Sequence, residues 1–302
     1  MTIPRRQLTL AALLCWAGCV AARADVPAFR LDTTAYGGYV DYHGSSWKDA
    51  ASFGGLYAGA RVGAEHLVEG EADYLAIERR RLLVLQQWDG TLAYANDQIP
   101  NWRLRLGTHY IASDDPASNG GWVPFCGVHY YAPGSWRPGV DRWIAVGRWD
   151  AGVNGYVSVY PHFGGGLDVV QLTPQVGVVL WQGTDWMWRS DLQGYWIHPG
   201  RDVGWGQRNF FSIEERLSVA WRRWAFAAFG WAGEQTFAVR NDGFTVFNLA
   251  ERHRAGYGLE VKYAVTDRVS FAGRISREEF SEFNNHAVTT GNTYLAMVNC
   301  RF

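Results

Sequence analysis

"YLAMVNCRF", Tyr294 to Phe302, is the stretch on which the reading of this chain turns. Counting back from Phe302, every second residue is apolar or nearly so: Phe302, Cys300, Val298, Ala296 and Tyr294. The alternate set, Arg301, Asn299, Met297, Leu295 and Thr293, is mixed, with its polar members toward the carboxyl end. A period of two marks a β-strand with one greasy face. Chain ends are ordinarily frayed and polar, so a strand pattern running to the last residue is expected to be paired along its whole length.

The amino end sets the compartment. "MTIPRRQLTLAALLCWAGCVAARA" carries Arg5 and Arg6, an apolar run from Leu8 to Val20, then Ala22-Arg23-Ala24. That is the layout of a secretory signal peptide over residues 1–24, cleaved after Ala24. The run is shorter than the ~20 residues of a spanning helix. Cleavage takes Arg5, Arg6 and Arg23 from 28 basic residues and none of the 29 acidic ones, so residues 25–302 are net acidic. No nucleic-acid partner is expected from that balance. Cys15 and Cys19 leave with the signal, and Cys126 and Cys300 read as small apolar fillers. Residues 25–302 read as one domain, with no linker or low-complexity segment.

The composition is unusual for a soluble protein. Tryptophan (16) far outnumbers methionine (3), aromatics reach 15%, and there are 35 glycines. Helical periodicity is absent after the signal. What repeats is an alternating segment of about ten residues followed by Gly, Asp, Asn or Pro, which predicts an all-β chain.

The aromatic positions point to a membrane barrel. In "NWRLRLGTHYIAS", Trp102, Leu104, Leu106, Thr108 and Tyr110 share one face, while Arg103, Arg105, Gly107 and His109 share the other. "RAGYGLEVKYAV" sets Tyr257, Leu259, Val261 and Tyr263 against Gly258, Glu260 and Lys262. "NFFSIEERLSVAW" sets Phe211, Ile213, Leu217, Val219 and Trp221 against Ser212, Glu214, Arg216 and Ser218, with Glu215 interrupting the greasy face. Aromatic girdles around an apolar band, with charge on the opposite face, are what a transmembrane barrel requires. Only helices and closed barrels cross a bilayer without orphaning backbone polar groups.

On these residues the chain resembles the outer-membrane β-barrel proteins of Gram-negative bacteria, porin-like at the level of class. The resemblance implies that Tyr294, Ala296, Val298, Cys300 and Phe302 form the terminal signal read by the barrel assembly machinery. It also implies periplasmic chaperones during biogenesis, and outer-membrane lipid and lipopolysaccharide as surroundings. A closed antiparallel transmembrane β-barrel follows, with about 14 strands and 12 as the alternative, both termini lying in the periplasm.

The strand pattern places strands at 30–42, 55–67, 72–80, 82–95, 101–113, 121–132, 142–160, 168–181, 185–198, 208–222, 224–239, 253–265, 269–280 and 291–302. "VEGE", "DQIPN", "QGTD" and "VTDR" read as tight periplasmic turns. "GSSWKDAASF", "SDDPASNGG", "HPGRDVGWGQ", "RNDGFTVFNLAE" and "SEFNNHAVTTG" read as longer loops on the other side. The break at Arg79-Arg80-Arg81 lacks turn residues, and "PGSWRPGVD" is long for a periplasmic turn.

A barrel of this size lies between the side-chain-filled barrels of roughly eight strands and the aqueous channels of about 16–18. With no loop long enough for a large plug, a narrow open pore is expected, passing small polar solutes without cofactor or metal. Strand parity puts Arg103, Arg105, His109, Arg189, Asp191, Glu214, Arg216, Glu260, Lys262 and Arg274 in the lumen. Their basic surplus, Arg103 and Arg105 foremost, favours anions. The rival readings are a membrane-embedded enzyme acting on lipid or lipopolysaccharide, and a structural or export-associated barrel. For an enzyme, Ser113 near His109 is the available pair, and His109 and His129 fall on adjacent strands. "SDDP" reads as an ordinary turn, "HFGGGLD" as a flexible loop, and Trp186, Trp188 and Trp196 as girdle rather than a sugar-stacking slide. The oligomeric state stays open, with a monomer favoured.

Overall fold

Alternating apolar and small or charged residues, punctuated by turn formers, produce strands almost from end to end. The computed structural model describes residues 29–80, 82–132, 149–283 and 286–302. The expected signal peptide, Arg81 and the "PGSWRPGVD" connection lie outside the described residues, as do 142–148 of the expected seventh strand.

The strands are β1 (Phe29–His43), β2 (Lys48–Val62), β3 (His66–Arg79), β4 (Leu85–Asn96), β5 (Trp102–Ser113), β6 (Trp122–Tyr131) and β7 (Trp149–Tyr160). There follow β8 (Leu167–Gln182), β9 (Trp186–Pro199), β10 (Phe210–Trp221) and β11 (Trp224–Gln235). Two short strands, β12 (Val239–Arg240) and β13 (Thr245–Val246), flank a 3-10 turn at Asn241–Gly243, and β14 (Arg252–Ala264), β15 (Val269–Ser281) and β16 (Val288–Arg301) complete the chain. All but β12 and β13 form one closed barrel of fourteen antiparallel strands, in which β11 pairs directly with β14 and β16 returns to β1. Phe302 exchanges both backbone hydrogen bonds with Leu31, at 2.8 and 3.2 Å, so pairing runs to the last residue.

Fourteen strands exclude the twelve-strand alternative, because the break at Arg79-Arg80 is real: β3 ends at Arg79 and β4 starts at Leu85. The second and third expected strands are shifted. "VEGE" lies inside β3, and the turn falls at Gly63-Ala64-Glu65. Most of "GSSWKDAASF" is β2 strand rather than loop. Glycine and acidic residues imitated a turn there, although Glu69 and Glu71 face the lumen and Gly70 between them faces outward.

The polarity is that of a membrane barrel. Leu104, Leu106, Ile213, Leu259 and Ile275 stand on the outside at between 45% and 59% exposure. An aromatic row (Trp102, Tyr130, Trp149) lines the rim that carries both termini, with ring centroids 5.0 and 5.6 Å apart. Trp186 stacks on Trp221 at the same rim, and Trp122, Phe211 and Trp88 stand exposed toward the other. The rim that carries the termini is the periplasmic one in this architecture. Cys126 and Cys300 are free thiols on the outward face. Glu215 also points outward, where Ser190 Oγ donates to it at 3.2 Å, and the register of β10 is unbroken there.

Candidate functional site

The site is the lumen, and one segment dominates it. Between β11 and β14 the chain leaves the wall at Thr236 and re-enters at Arg252, turning inward across the barrel. "RNDGFTVFNLAE" is rich in Phe, Val and Leu, a composition suited to burial. At its tip Asn241, Asp242 and Gly243 all have positive φ (50, 55 and 98°), which Asn, Asp and Gly tolerate best. Gly243 must be glycine for a second reason: a Cβ there would lie 2.5 Å from the Phe125 ring.

The segment is bonded to the wall on every side. Gln171 Nε2 donates to the Val239 carbonyl at 2.6 Å and Val239 N–H donates back to Gln171 Oε1 at 2.9 Å. Arg105 donates to the Asp242 carbonyl, and Asn154 Nδ2 donates to Asp242 Oδ1 at 2.9 Å. Asn248 Nδ2 donates to Gln87 Oε1 at 2.6 Å. Arg240 bridges Glu214 (2.5 Å) and Glu278 (3.2 Å) beneath the rings of Trp231 and Phe247. Burial opposes charge on Arg240, yet the two carboxylates outweigh it and push its pKa up further. Phe237, Ala238 and Val203 pack with Ile111, Tyr160, Ile197 and Phe210, while Val239 joins Val123, Phe125 and Tyr156. Much of the outer half of the lumen is thus packed, with apolar clusters around a few buried ion pairs. The expectation of an unplugged bore is corrected: loop length did not limit plugging, because a segment of sixteen residues, eight of them apolar, enters the lumen of a barrel narrower than the aqueous channels of about 16–18 strands.

Toward the periplasmic rim the lumen is polar. Of the residues assigned to the lumen from the sequence, Arg103, Arg105, Arg189, Asp191, Arg216, Glu260, Lys262 and Arg274 lie in this half, and the structure pairs most of them, while Glu214 and His109 lie farther out. Arg103 makes a two-pronged contact with Asp97, both bonds at 2.8 Å, and Arg61 reaches the same carboxylate at 3.4 Å. Burial alone raises the Asp97 pKa, but the Arg103 and Arg61 bonds and charges prevail and hold it below the usual carboxylate range. Arg105 pairs with Glu69 at 3.2 Å. Arg189 joins Asp191 (2.6 Å) and Asp150 (2.7 Å), and Asp150 also meets His129 at 2.7 Å. Arg103 and Arg105 are therefore not a surplus. The acids that answer them (Glu69, Asp97, Asp150, and nearby Asp32, Glu71, Asp73 and Asp89) lie on strands and turns whose inward parity was not read for charge. The positive excess lies elsewhere. Arg216 (2.9 Å) and Arg274 (2.6 Å) share the one carboxylate of Glu260, and neighbouring Lys262 has no ion pair among the described residues.

His109 is buried at 1% exposure, bonded to Thr91 Oγ1 at 2.7 Å and 3.4 Å from Asp89. His129 does sit on the adjacent strand β6, opposite Arg103, while His109 stands opposite Val123. Ser113 lies at the outer turn, where its Oγ accepts from Asp115 N–H at 3.1 Å. Asp114 and Asp115 bond backbone amides of Gln86 and Ala117, as turn formers do. Gly164, Gly165 and Gly166 of "HFGGGLD" form a loop with positive φ throughout. Trp186 and Trp188 face outward, away from any lumenal slide, and Trp196 shares their face on β9. Among the described residues there is no cluster of three or more metal-ligating side chains.

No protein-family model matches the sequence, and no curated protein does. Solved structures do match. The Ralstonia pickettii toluene transporter TbuX superposes with a TM-score of 0.54 at 7% identity, covering 91% of this chain and 90% of its own. The TodX deltaS2S3 mutant, a monoaromatic hydrocarbon channel, gives 0.53 at 8% identity, covering 92% and 91%. A bacterial polysaccharide outer membrane secretin gives 0.52 at 11% identity, covering 92% and 100%. At these identities the likeness is one of fold. The chain is a closed fourteen-strand transmembrane β-barrel of the kind found in bacterial outer membranes.

Proposed function

We propose that this barrel is a gated outer-membrane channel for small polar solutes, with a periplasmic vestibule that favours anions. The observation that carries it is the group at Arg216, Arg274 and Lys262, three bases facing the single carboxylate of Glu260 in the polar half of the lumen. A fixed positive field lowers the cost of an anion shedding its water. The inserted segment is held by hydrogen bonds and ion pairs rather than by the closed ladder, so it is the element that can move while the wall stays shut. The fold-level likeness to transporters and channels supports the same reading. The hydrocarbon cargo of TbuX and TodX does not suit a vestibule lined with charge. Residues 1–24 as a cleaved signal, Tyr294 to Phe302 as the assembly signal, lipopolysaccharide contact and a monomeric state belong to the same proposal.

The enzyme reading has less support. A hydroxyl, an imidazole and a carboxylate do line up as Thr91, His109 and Asp89, but the histidine is buried in the packed wall without access for a lipid. Planar-bilayer recordings test the channel: intermittent steps with anion preference are expected, and Arg216→Ala with Arg274→Ala should abolish the preference. A purified, folded barrel that never conducts would sink the proposal.

A further inference from the structure

Lys48 is one of only two lysines in the chain, and its side chain is 2% exposed. Its Nζ lies 2.5 Å from Glu251 Oε1. Three rings surround the same ammonium, with centroids at 4.8 Å (Trp47), 4.9 Å (Phe280) and 5.1 Å (Tyr42). Rings presenting their faces to a cation, with a carboxylate to balance the charge, are the chemistry that recognises alkylammonium groups. The rings belong to the wall: Tyr42 on β1, Trp47 in the β1–β2 turn and Phe280 on β15. That platform is held independently of the inserted segment. Lys48 N–H donates to Ser45 Oγ at 2.7 Å, and Glu282 accepts from Ser46 Oγ at 2.7 Å and from Thr289 Oγ1 at 3.2 Å. Glu251, by contrast, is the last residue of the segment before β14, two residues beyond Leu249, which packs on Ala51, Ile77 and Leu85.

We propose that this cage is an alkylammonium-binding site whose resident ligand is the chain's own Lys48, and that its occupancy holds the 236–251 segment inside the lumen. Removing the ammonium leaves Glu251 buried with only the His253 imidazole, at 4.0 Å, beside it, so the close counter-charge is lost and letting water in relieves the carboxylate. The return of the segment then leaves the wall, and the packing of Leu249 goes with it. A free cation of the right shape restores the balance.

The test reads segment position directly and does not require ion flow. In the full-length barrel with Cys126→Ala and Cys300→Ala, Val239→Cys places a reporter thiol where the native side chain is 1% exposed. Its labelling rate with a water-soluble maleimide reports departure of the segment. Lys48→Ala should accelerate labelling by about tenfold or more, since each 1.4 kcal/mol is a factor of ten. Added n-propylammonium, which matches the deleted Cγ-to-Nζ atoms, should restore slow labelling, whereas n-propanol should not. Unchanged labelling in Lys48→Ala, or equal rescue by the alcohol, would overturn the proposal. Should that variant not fold, Trp47→Leu removes one ring and keeps the ion pair; a smaller acceleration supports the cage and none refutes it. A barrel silent in bilayers but showing these labelling changes would reject the channel and leave the cage standing.

Discussion

Toward the outer rim, Ile111, Tyr160, Ile197, Phe210 and Phe237 are fully buried against one another, as in the core of a soluble protein. Toward the rim that carries the termini, Arg216, Arg274, Asp32 and Arg301 keep between 29% and 41% of their side chains exposed inside the same barrel. One wall of uniform strands therefore encloses two interiors. The difference begins in the strands, whose inward positions are apolar toward the outer rim (Ile111, Ile197, Phe210) and largely charged toward the other. It is completed by sixteen-odd residues between β11 and β14 that enter one half and supply apolar partners there. Where they reach, inward apolar side chains are buried; where they stop, inward charged residues are either paired and buried, as Arg103 and Asp97 are, or part-exposed, as Arg216 and Arg274 are.

The strongest way to break this contrast is to remove the segment. Replacing Ala238–Ala250 with a short Gly-Ser linker should leave a folded barrel that conducts steadily, with the outer half as wet as the inner. A deleted barrel with the parent's conductance would show that the segment does not close the bore. Arg240→Met comes next. It strands Glu214 and Glu278 in the packed half, and breaking a buried ion pair costs about 3–5 kcal/mol. Urea unfolding from lipid vesicles should show a midpoint lowered accordingly, while Arg240→Met with Glu214→Gln and Glu278→Gln should recover much of the loss.

Asp97, at the polar rim, should show a smaller and pH-dependent effect. Its pKa is depressed in the folded state, so its contribution is present above the unfolded carboxylate value and disappears as pH falls through the folded one. Asp97→Asn should cost about 1.5–3 kcal/mol near neutrality, the range for hydrogen bonds to charged groups. The gap between variant and parent should close on acidification below about pH 4, near the ordinary aspartate value. A gap independent of pH would assign the cost to packing. Smallest in stability is Arg216→Ala: its side chain is 31% exposed, and pairs of that kind contribute about 0–1 kcal/mol. Its effect should appear instead as a reversal potential moved toward cations, with Glu260→Gln moving it the other way. Equal shifts from Arg103→Ala would return selectivity to the Arg103–Asp97 pair.

Strand parity was legible because it is local. The inward positions of Arg103, Arg105 and His109 follow from counting twos between Trp102 and Tyr110, and the structure keeps that register. Who pairs with whom was not legible. Arg103 meets Asp97 through a tight turn, Arg189 meets Asp150 from β7, and Lys48 meets Glu251 from the far end of the chain. The apolar content of "GFTVFNLA" was the overlooked signal, since a solvent loop has no use for two phenylalanines, a valine and a leucine. "VEGE" misled in the opposite direction: glycine between acids resembles a turn, but in a barrel it is also how a strand presents a small residue outward and carboxylates inward.

By itself the sequence determined the all-β architecture, the outward grease and the pairing of the last strand to its final residue, and it narrowed the strand count to fourteen or twelve. Each of these rests on side-chain alternation or on the short span of a turn, both set within a few residues of chain. Tertiary structure alone decided that the β11–β14 connection folds inward, that the arginines of the lumen are matched by acids on distant strands, and that a lysine is enclosed by three rings. Those outcomes depend on which surfaces meet once the sheet has closed, and closure brings together residues whose separation along the chain carries no periodic trace.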